Sequence, residues 1–187
     1  MAGAKLRSSE LQADSVDDDQ IKTALKEGQA RVYAMSAVHE MLYESEQLSE
    51  IDLKTYLSKL TDTIFQTYSI DHRKVNLTSD IGDASISINQ AYPLGLVVNE
   101  LISNSLKYAF PNDKKGDITV VMRKLNSLLT LTVKDNGVGI PDTMDWKNAG
   151  SLGLNLVRTL VENQLGGSLD MEKNNGTTFT IQFTIET

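Results

Sequence analysis

The stretch from Leu94 to Phe110 carries two helical faces at once, and this limits what the chain can fold into. Leu94, Val97, Val98, Leu101, Ile102 and Leu106 recur at three- and four-residue spacing, which aligns them as one apolar stripe. Glu100, Asn104 and Lys107 fall at i, i+4 and i+7, so they share a second face and point the same way. The apolar stripe has to be buried against another layer, which places this helix at the centre of a domain. The carboxylate, amide and ammonium could form a plain solvated face. Two glycine clusters and a lone Asp in the loops downstream argue for a site instead.

The first cluster is Asp135-Asn136-Gly137-Val138-Gly139-Ile140-Pro141, which leaves a strand with two glycines that let backbone approach a ligand closely. A carboxylate at such a strand end only accepts hydrogen bonds, so it suits an exocyclic amino donor such as that of adenine. Guanine would present an acceptor oxygen there and leave like lone pairs facing each other. The second cluster, Gly150-Ser151-Leu152-Gly153-Leu154, opens a helix. Free N–H groups and the positive end of the helix dipole make it a phosphate cradle. Each loop alone is ordinary turn sequence; the information is in their order.

The formal net charge of −7 argues against a nucleic-acid footprint or an anionic membrane surface. No apolar run approaches the roughly 18 residues of a membrane span. Cys is absent, which excludes disulfides and thiolate metal sites, and the two histidines, His39 and His72, are too few for a His-built metal cage. The chain of 187 residues has room for one or two domains with a sizeable core.

Residues 1–13 carry little pattern, and the acidic run Asp14–Asp19 can cap the helix that follows. Ile21, Leu25, Gly28, Val32, Met35, His39 and Leu42 are spaced 4-3-4-3-4-3, a heptad seam that asks for a helical partner. His39 lies on that seam, where a packed interface histidine is the plainer reading than a phospho-acceptor or base. Asp52 is a suitable N-cap for a second helix with apolar positions Leu53, Tyr56, Leu57, Leu60, Ile64 and Phe65. Around Tyr68–His72 the pattern turns from helical to alternating, which marks a domain boundary with His72 in the junction. Val75–Ile81 alternates as a half-buried strand, and Ile86–Ile88 makes a short one. Asn89 is the expected cap of the central helix, with Pro93 in its early turns. Asp117–Leu125 and Leu128–Lys134 read as a hairpin turning at Asn126-Ser127. A helix over Leu152–Gln164 ends at Gly166-Gly167, and strands over Ser168–Glu172 and Thr177–Ile185 flank the turn Asn174-Asn175-Gly176.

Taken together, the central helix and the two glycine loops resemble the N, G1 and G2 boxes of the ATPase superfamily that unites gyrase, heat-shock chaperones, mismatch-repair proteins and histidine kinases. Gly176-Thr177-Thr178-Phe179 is similar to its last box. The resemblance extends to bacterial two-component sensor histidine kinases: Asn99–Pro111 and Arg31–Tyr43 look like the N box and second dimerisation helix of one subfamily. It implies an α+β fold, a two-layer sandwich with a mixed, mainly antiparallel sheet covered on one face by helices. A long helix from a dimerisation hairpin would precede it. The implied division is residues 1–50 as a partial dimerisation region, 51–69 as a connecting helix packed on the catalytic domain, and 70–187 as the ATP-binding catalytic domain.

The resemblance also implies roles. Asn104 would give its amide oxygen to Mg²⁺, and Glu100 would orient a metal-bound water or assist proton removal. Lys107 and Tyr108 would meet the phosphates of ATP. Asp135 would take the adenine amino group, aided by Thr177, while Gly137, Gly139, Gly153 and Leu154 line the nucleotide. Residues 142–151 would form a short lid, with Trp146 packing on the domain. The implied enzyme is a cytoplasmic protein-histidine kinase, with self-association through the Ile21–Leu42 helix and a response-regulator receiver domain as partner. This portion is not expected to touch nucleic acid or membrane. The family places its phospho-acceptor His in the first dimerisation helix. Lys5–Leu11 looks like the tail of that helix and His39 matches the second helix's non-acceptor His. The chain is therefore expected to lack most of the acceptor helix and to be inactive in autophosphorylation. The alternatives are an ATP-hydrolysing or serine-phosphorylating module of the same superfamily, and a non-catalytic module in which nucleotide only orders the lid.

Overall fold

The computed structural model describes residues 50–67, 74–141, 146 and 152–185, together with Leu25, Gly28, Gln29, Val32 and Ser36, which are helical. His39, His72, the rest of the heptad seam and, apart from Pro141 and Trp146, the stretch 141–151 lie outside the described residues.

A short strand β1 (Glu50–Asp52) leads into helix α1 (Leu53–Thr67), followed by β2 (Val75–Ile81) and β3 (Ser85–Ser87). The central helix α2 spans Ile88–Asn104 and continues as a wider π-helical turn over Ser105–Ala109. After a tight turn at Pro111–Asp113 come β4 (Gly116–Leu125) and β5 (Leu128–Asp135). Helix α3 (Leu152–Thr159) likewise ends in a π-helical turn, Leu160–Gln164, before β6 (Ser168–Glu172) and β7 (Thr178–Thr184).

The main sheet has the order β2-β4-β5-β7-β6, with β2 parallel to β4 and the remaining pairs antiparallel. Its central strands β4, β5 and β7 alternate. Ile118, Val120, Met122, Leu129, Leu131, Val133, Phe179, Ile181 and Phe183 are buried on one face. The intervening positions are mostly polar, Thr130, Thr132, Thr180 and Gln182 among them, and more exposed. The helices cover the buried face, giving the expected two-layer, mainly antiparallel α+β sandwich. Leu94, Val97, Val98, Leu101 and Ile102 of α2 are all buried in the shared core, as the stripe requires, whereas Leu106, in the π-helical turn, is only half-buried against it.

Several boundaries differ from the sequence reading. The N-cap of α2 is Ser87 rather than Asn89, because β3 ends one residue earlier than its alternation suggests. The strand β1, too short to show a period, pairs antiparallel with β3 and makes a separate two-stranded ribbon. Asp52 caps α1 as expected: the Thr55 backbone N–H donates to its Oδ2 at 3.0 Å, and hydrogen bonding from the Thr55 hydroxyl first, then from this N–H, lowers the Asp52 pKa.

Helix α1 shares the core of the sheet domain. Leu53, Tyr56, Leu57 and Leu60 are fully buried in the same cluster as the sheet residues. Tyr56 reaches across to donate its hydroxyl to the Ala91 carbonyl, at 3.3 Å, in α2. Gly95 makes this approach feasible, since a Cβ there would fall 1.7 Å from the Tyr56 hydroxyl oxygen. Burial raises the Tyr56 pKa well above its ordinary value, so the phenol stays neutral. Gly95→Ala should therefore destabilise the domain by about 1–3 kcal/mol through overpacking, despite the better helix propensity of alanine. Denaturant melts of Gly95→Ala and of Gly95→Ala with Tyr56→Phe check this. Removing the clashing hydroxyl should recover part of the loss.

Candidate nucleotide site

Strand β5 ends at Asp135, and the chain turns away immediately, leaving a 4% exposed carboxylate at the edge of the core. Every buried carboxylate oxygen needs donors, and here they converge from three elements. Oδ1 accepts the backbone N–H of Gly137 at 3.0 Å and that of Thr177 at 3.2 Å, and Oδ2 accepts the Ser105 hydroxyl at 3.1 Å. The Asp135 backbone N–H donates to the Thr177 carbonyl at 2.9 Å, tying the two segments in both directions. These three neutral donors hold the carboxylate in place. The group therefore remains a fixed acceptor with lone pairs left over for a ligand.

Glycine is required where the loop meets its neighbours. A Cβ on Gly137 would lie 2.3 Å from the Ala109 carbonyl oxygen, the same oxygen that accepts the Val138 N–H at 2.9 Å. Gly176, at φ +125, has room for no side chain either, since its Cβ would fall 2.0 Å from the Asp135 carbonyl. These contacts weld the loop after β5 to the end of the α2 helix on one side and to the β6–β7 turn on the other.

Beside Asp135 opens a cavity of about 290 Å³, near the lower end of the roughly 300–1,000 Å³ usual for ligand pockets. Of the residues singled out from sequence, Asn104, Tyr108, Asp135, Gly139, Leu154 and Thr177 line it. Asn104 is half-buried at the end of α2, and Tyr108 is 65% exposed at the mouth. Phe179 forms part of the wall, and Trp146 packs on it edge to face with ring centroids 5.9 Å apart. Trp146 thus packs on the domain, as expected.

Four residues stand outside that lining. Gly137 lies in an adjoining groove with Gly139 and Gly176, and acts on the site through its N–H to Asp135. Glu100 is buried one turn before Asn104, Lys107 is half-buried in the π-helical turn, and Gly153 is buried within the first turn of α3. Ser105 was not singled out from sequence. A serine inside a helix carries no local signal, and its partner lies 30 residues away.

With this geometry in place, comparisons with known proteins give consistent matches. Residues 89–187 match the family model described as "Histidine kinase-, DNA gyrase B-, and HSP90-like ATPase", and residues 8–68 match a model described as "Histidine kinase". The chain is 30% identical over 163 residues to Sensor histidine kinase PdtaS of Mycobacterium tuberculosis, covering 86% of this chain and 32% of that protein. It is 34% identical over 124 residues to Blue-light-activated histidine kinase 2 of Erythrobacter litoralis, covering 66% and 35% respectively. The chain thus spans about a third of the length of these relatives. In structure it is similar to the histidine kinase domain of the Erythrobacter litoralis EL346 blue-light-activated kinase. That likeness has a TM-score of 0.76 and 26% identity, covering 97% of this chain and 83% of that one. The match over residues 8–68 corrects one expectation. The match to a histidine-kinase model begins at Ser8 and runs through the whole stretch expected to hold only a residual helix.

Proposed function

The chain belongs to the family of histidine kinase-, DNA gyrase B- and HSP90-like ATPases, and on that premise we propose that it is the ATP-binding catalytic part of a sensor histidine kinase. It would transfer the ATP γ-phosphoryl group to a histidine, for relay to a response-regulator receiver domain in the cytoplasm. The observation that carries this reading is the Asp135 carboxylate, fixed by Ser105, Gly137 and Thr177 on a cavity that also reaches Asn104.

In this reading Asp135 accepts the adenine amino hydrogens, and Thr177 and Gly139 bound the base. Leu154 and Gly153 place the start of α3 against the nucleotide, where backbone N–H groups favour phosphate. Asn104 would supply its amide oxygen to Mg²⁺, a hard cation that needs few protein ligands. The half-buried Asn104 amide on the cavity wall fits a hard cation, which prefers oxygen donors. When bound, the ion neutralises charge on the phosphates. Glu100 serves as the proton acceptor or water-orienting group, and Lys107 and Tyr108 attend the phosphates. The bond from the γ-phosphorus to the β,γ-bridging oxygen breaks as an imidazole nitrogen bonds to phosphorus, and ADP leaves. Positioning and charge stabilisation supply most of the catalysis.

The test is to incubate the chain with γ-labelled ATP and Mg²⁺, alone and with a polypeptide carrying a histidine-kinase acceptor helix. Acid-labile, base-stable phosphate on protein is the expected product. Free phosphate alone would point to an ATPase, acid-stable phosphoserine to a serine kinase, and neither to a nucleotide-dependent binding module.

We place the start of the catalytic unit near Glu50, supported by the pairing of β1 with β3 and the burial of α1 in the common core. Residues before it form the self-associating region. Two seam positions upstream, Leu25 and Val32, are 36% and 47% exposed in the single chain, which suits a helix awaiting a partner. The full chain should run as a dimer in light scattering and a version beginning at Glu50 as a monomer. A monomeric full chain at high concentration would refute assembly through this helix. Among the described residues no helix is long and apolar enough to cross a membrane.

A further inference from the structure

Asn136 stands between Asp135 and Gly137 yet lines neither the cavity nor the adjoining groove. Its side chain closes a ring with Asp117 at the start of β4. The Asp117 backbone N–H donates to Asn136 Oδ1 at 2.7 Å, and Asn136 Nδ2 donates to Asp117 Oδ2 at 2.8 Å. The Asn136 backbone N–H donates to the Asp117 carbonyl at 3.2 Å. The other carboxylate oxygen, Oδ1, accepts Asn76 Nδ2 from β2 at 3.1 Å, so three segments meet at one aspartate. The neighbouring Gly116 leaves room for the ring. A Cβ there would fall 2.8 Å from Asn136 Oδ1 and 2.0 Å from the Phe110 ring.

We infer that Asn136 is a positioning residue for nucleotide binding: its clamp on Asp117 holds the glycine loop so that Asp135 and Gly139 face the cavity before nucleotide arrives. The inference rests on the reading of Asp135 as the adenine acceptor. The loop leaves β5 with its functional carboxylate first and its close-approach glycines next, and it is tied inward through Asp135 and Val138. Without an outward tie the segment between these points can sample other conformations. The apparent affinity then falls by the fraction of molecules still in the binding geometry. Asparagine suits the task because one side chain must accept a backbone N–H and donate to a carboxylate at once. Aspartate at this position would set two carboxylates against each other, and alanine would leave both Asp117 groups to water.

The same pattern predicts that the two side chains can be exchanged. With Asn136→Asp and Asp117→Asn together, a carboxylate oxygen still accepts the N–H of position 117. The amide donor now comes from position 117, and Asn76 still finds an oxygen acceptor. Calorimetric titration of the full chain with MgATP should show Asn136→Ala weakened about fivefold and Asn136→Asp about tenfold, with the exchange variant within about twofold of the native protein. Thermal midpoints should stay within a few degrees of one another. Midpoints that fall while affinity holds would mean that Asn136 is merely structural, and an exchange variant as weak as Asn136→Asp alone would also overturn the inference. If Asn136→Asp does not fold, Asn136→Ala at native affinity overturns it. Asp135→Asn serves as the control. Native affinity in that variant removes the adenine reading, and this inference with it, whereas a weakened control beside a native Asn136→Ala removes only the clamp.

Discussion

Asn104→Ala is expected to lower the phosphoryl-transfer rate by roughly 10²- to 10³-fold, the scale of losing one group that stabilises charge at the reacting centre. The fold should survive the change. Asn104 ends α2 on the face turned to the cavity, while the buried stripe on the same helix carries the packing. What alanine removes is an uncharged oxygen donor at the point where the cavity meets the π-helical turn. If that oxygen ligates Mg²⁺, nucleotide binding by the variant should lose most of its dependence on Mg²⁺. Asn104→Asp keeps an oxygen but adds a charge at the metal, so it should hold the ion while shifting the charge balance at the phosphates. Its rate should fall between the native and alanine values. Initial rates across a Mg²⁺ series, with calorimetry of nucleotide at each concentration, give both readouts. Equal enhancement of binding by Mg²⁺ in the native protein and Asn104→Ala would dismiss the metal assignment and leave Asn104 as a wall residue.

How far the sequence discloses this site follows from the range of the forces involved. The stripe Leu94–Ile102 and the alternation in β4, β5 and β7 are local periodicities, and burial alone decides them; the structure follows both, and only Leu106, past the start of the π-helical turn, is left half-buried. The order of the N-box helix and the glycine loops brought Asn104, Asp135, Gly139, Leu154 and Thr177 together, and all of them line one cavity. Ser105 and Asn136 were not legible, because each acts through a partner far away in the chain, Asp135 and Asp117 respectively. A hydroxyl in a helix and an amide in a turn have ordinary local uses, and only the folded sheet shows which long-range use applies. The widened turns at Ser105–Ala109 and Leu160–Gln164 escaped for a related reason. A helical period does not separate an α-turn from a π-turn, and the choice is made by packing at the helix end. The first of these turns carries Ser105, Lys107 and Tyr108, so the unread geometry lies at the candidate phosphate side of the site.

Asp135→Asn should weaken ATP binding by about 1–3 kcal/mol, the scale of one charge-assisted hydrogen bond, and erase the preference for adenine. The reason lies in the distribution of donors around the carboxylate. Oδ1 is taken by the Gly137 and Thr177 N–H groups, and an asparagine oxygen can take the same place unchanged. The new amide nitrogen must then occupy the position of Oδ2, beside the Ser105 hydroxyl, which can rotate and accept from it. The variant therefore has every reason to fold, and a thermal midpoint near the native value is part of the prediction. What changes is the group presented to the base. Adenine would bring an amino donor against an amide donor, while the guanine carbonyl would now find a partner. ATP affinity should fall, GTP affinity should rise relative to it, and the ratio between the two should move toward unity or invert. Titrating both nucleotides into both proteins measures this directly. Equal affinity of the native protein for ATP and GTP would show that Asp135 does not read the base, and that its three donors serve only to close the β5 loop onto α2 and the β6–β7 turn.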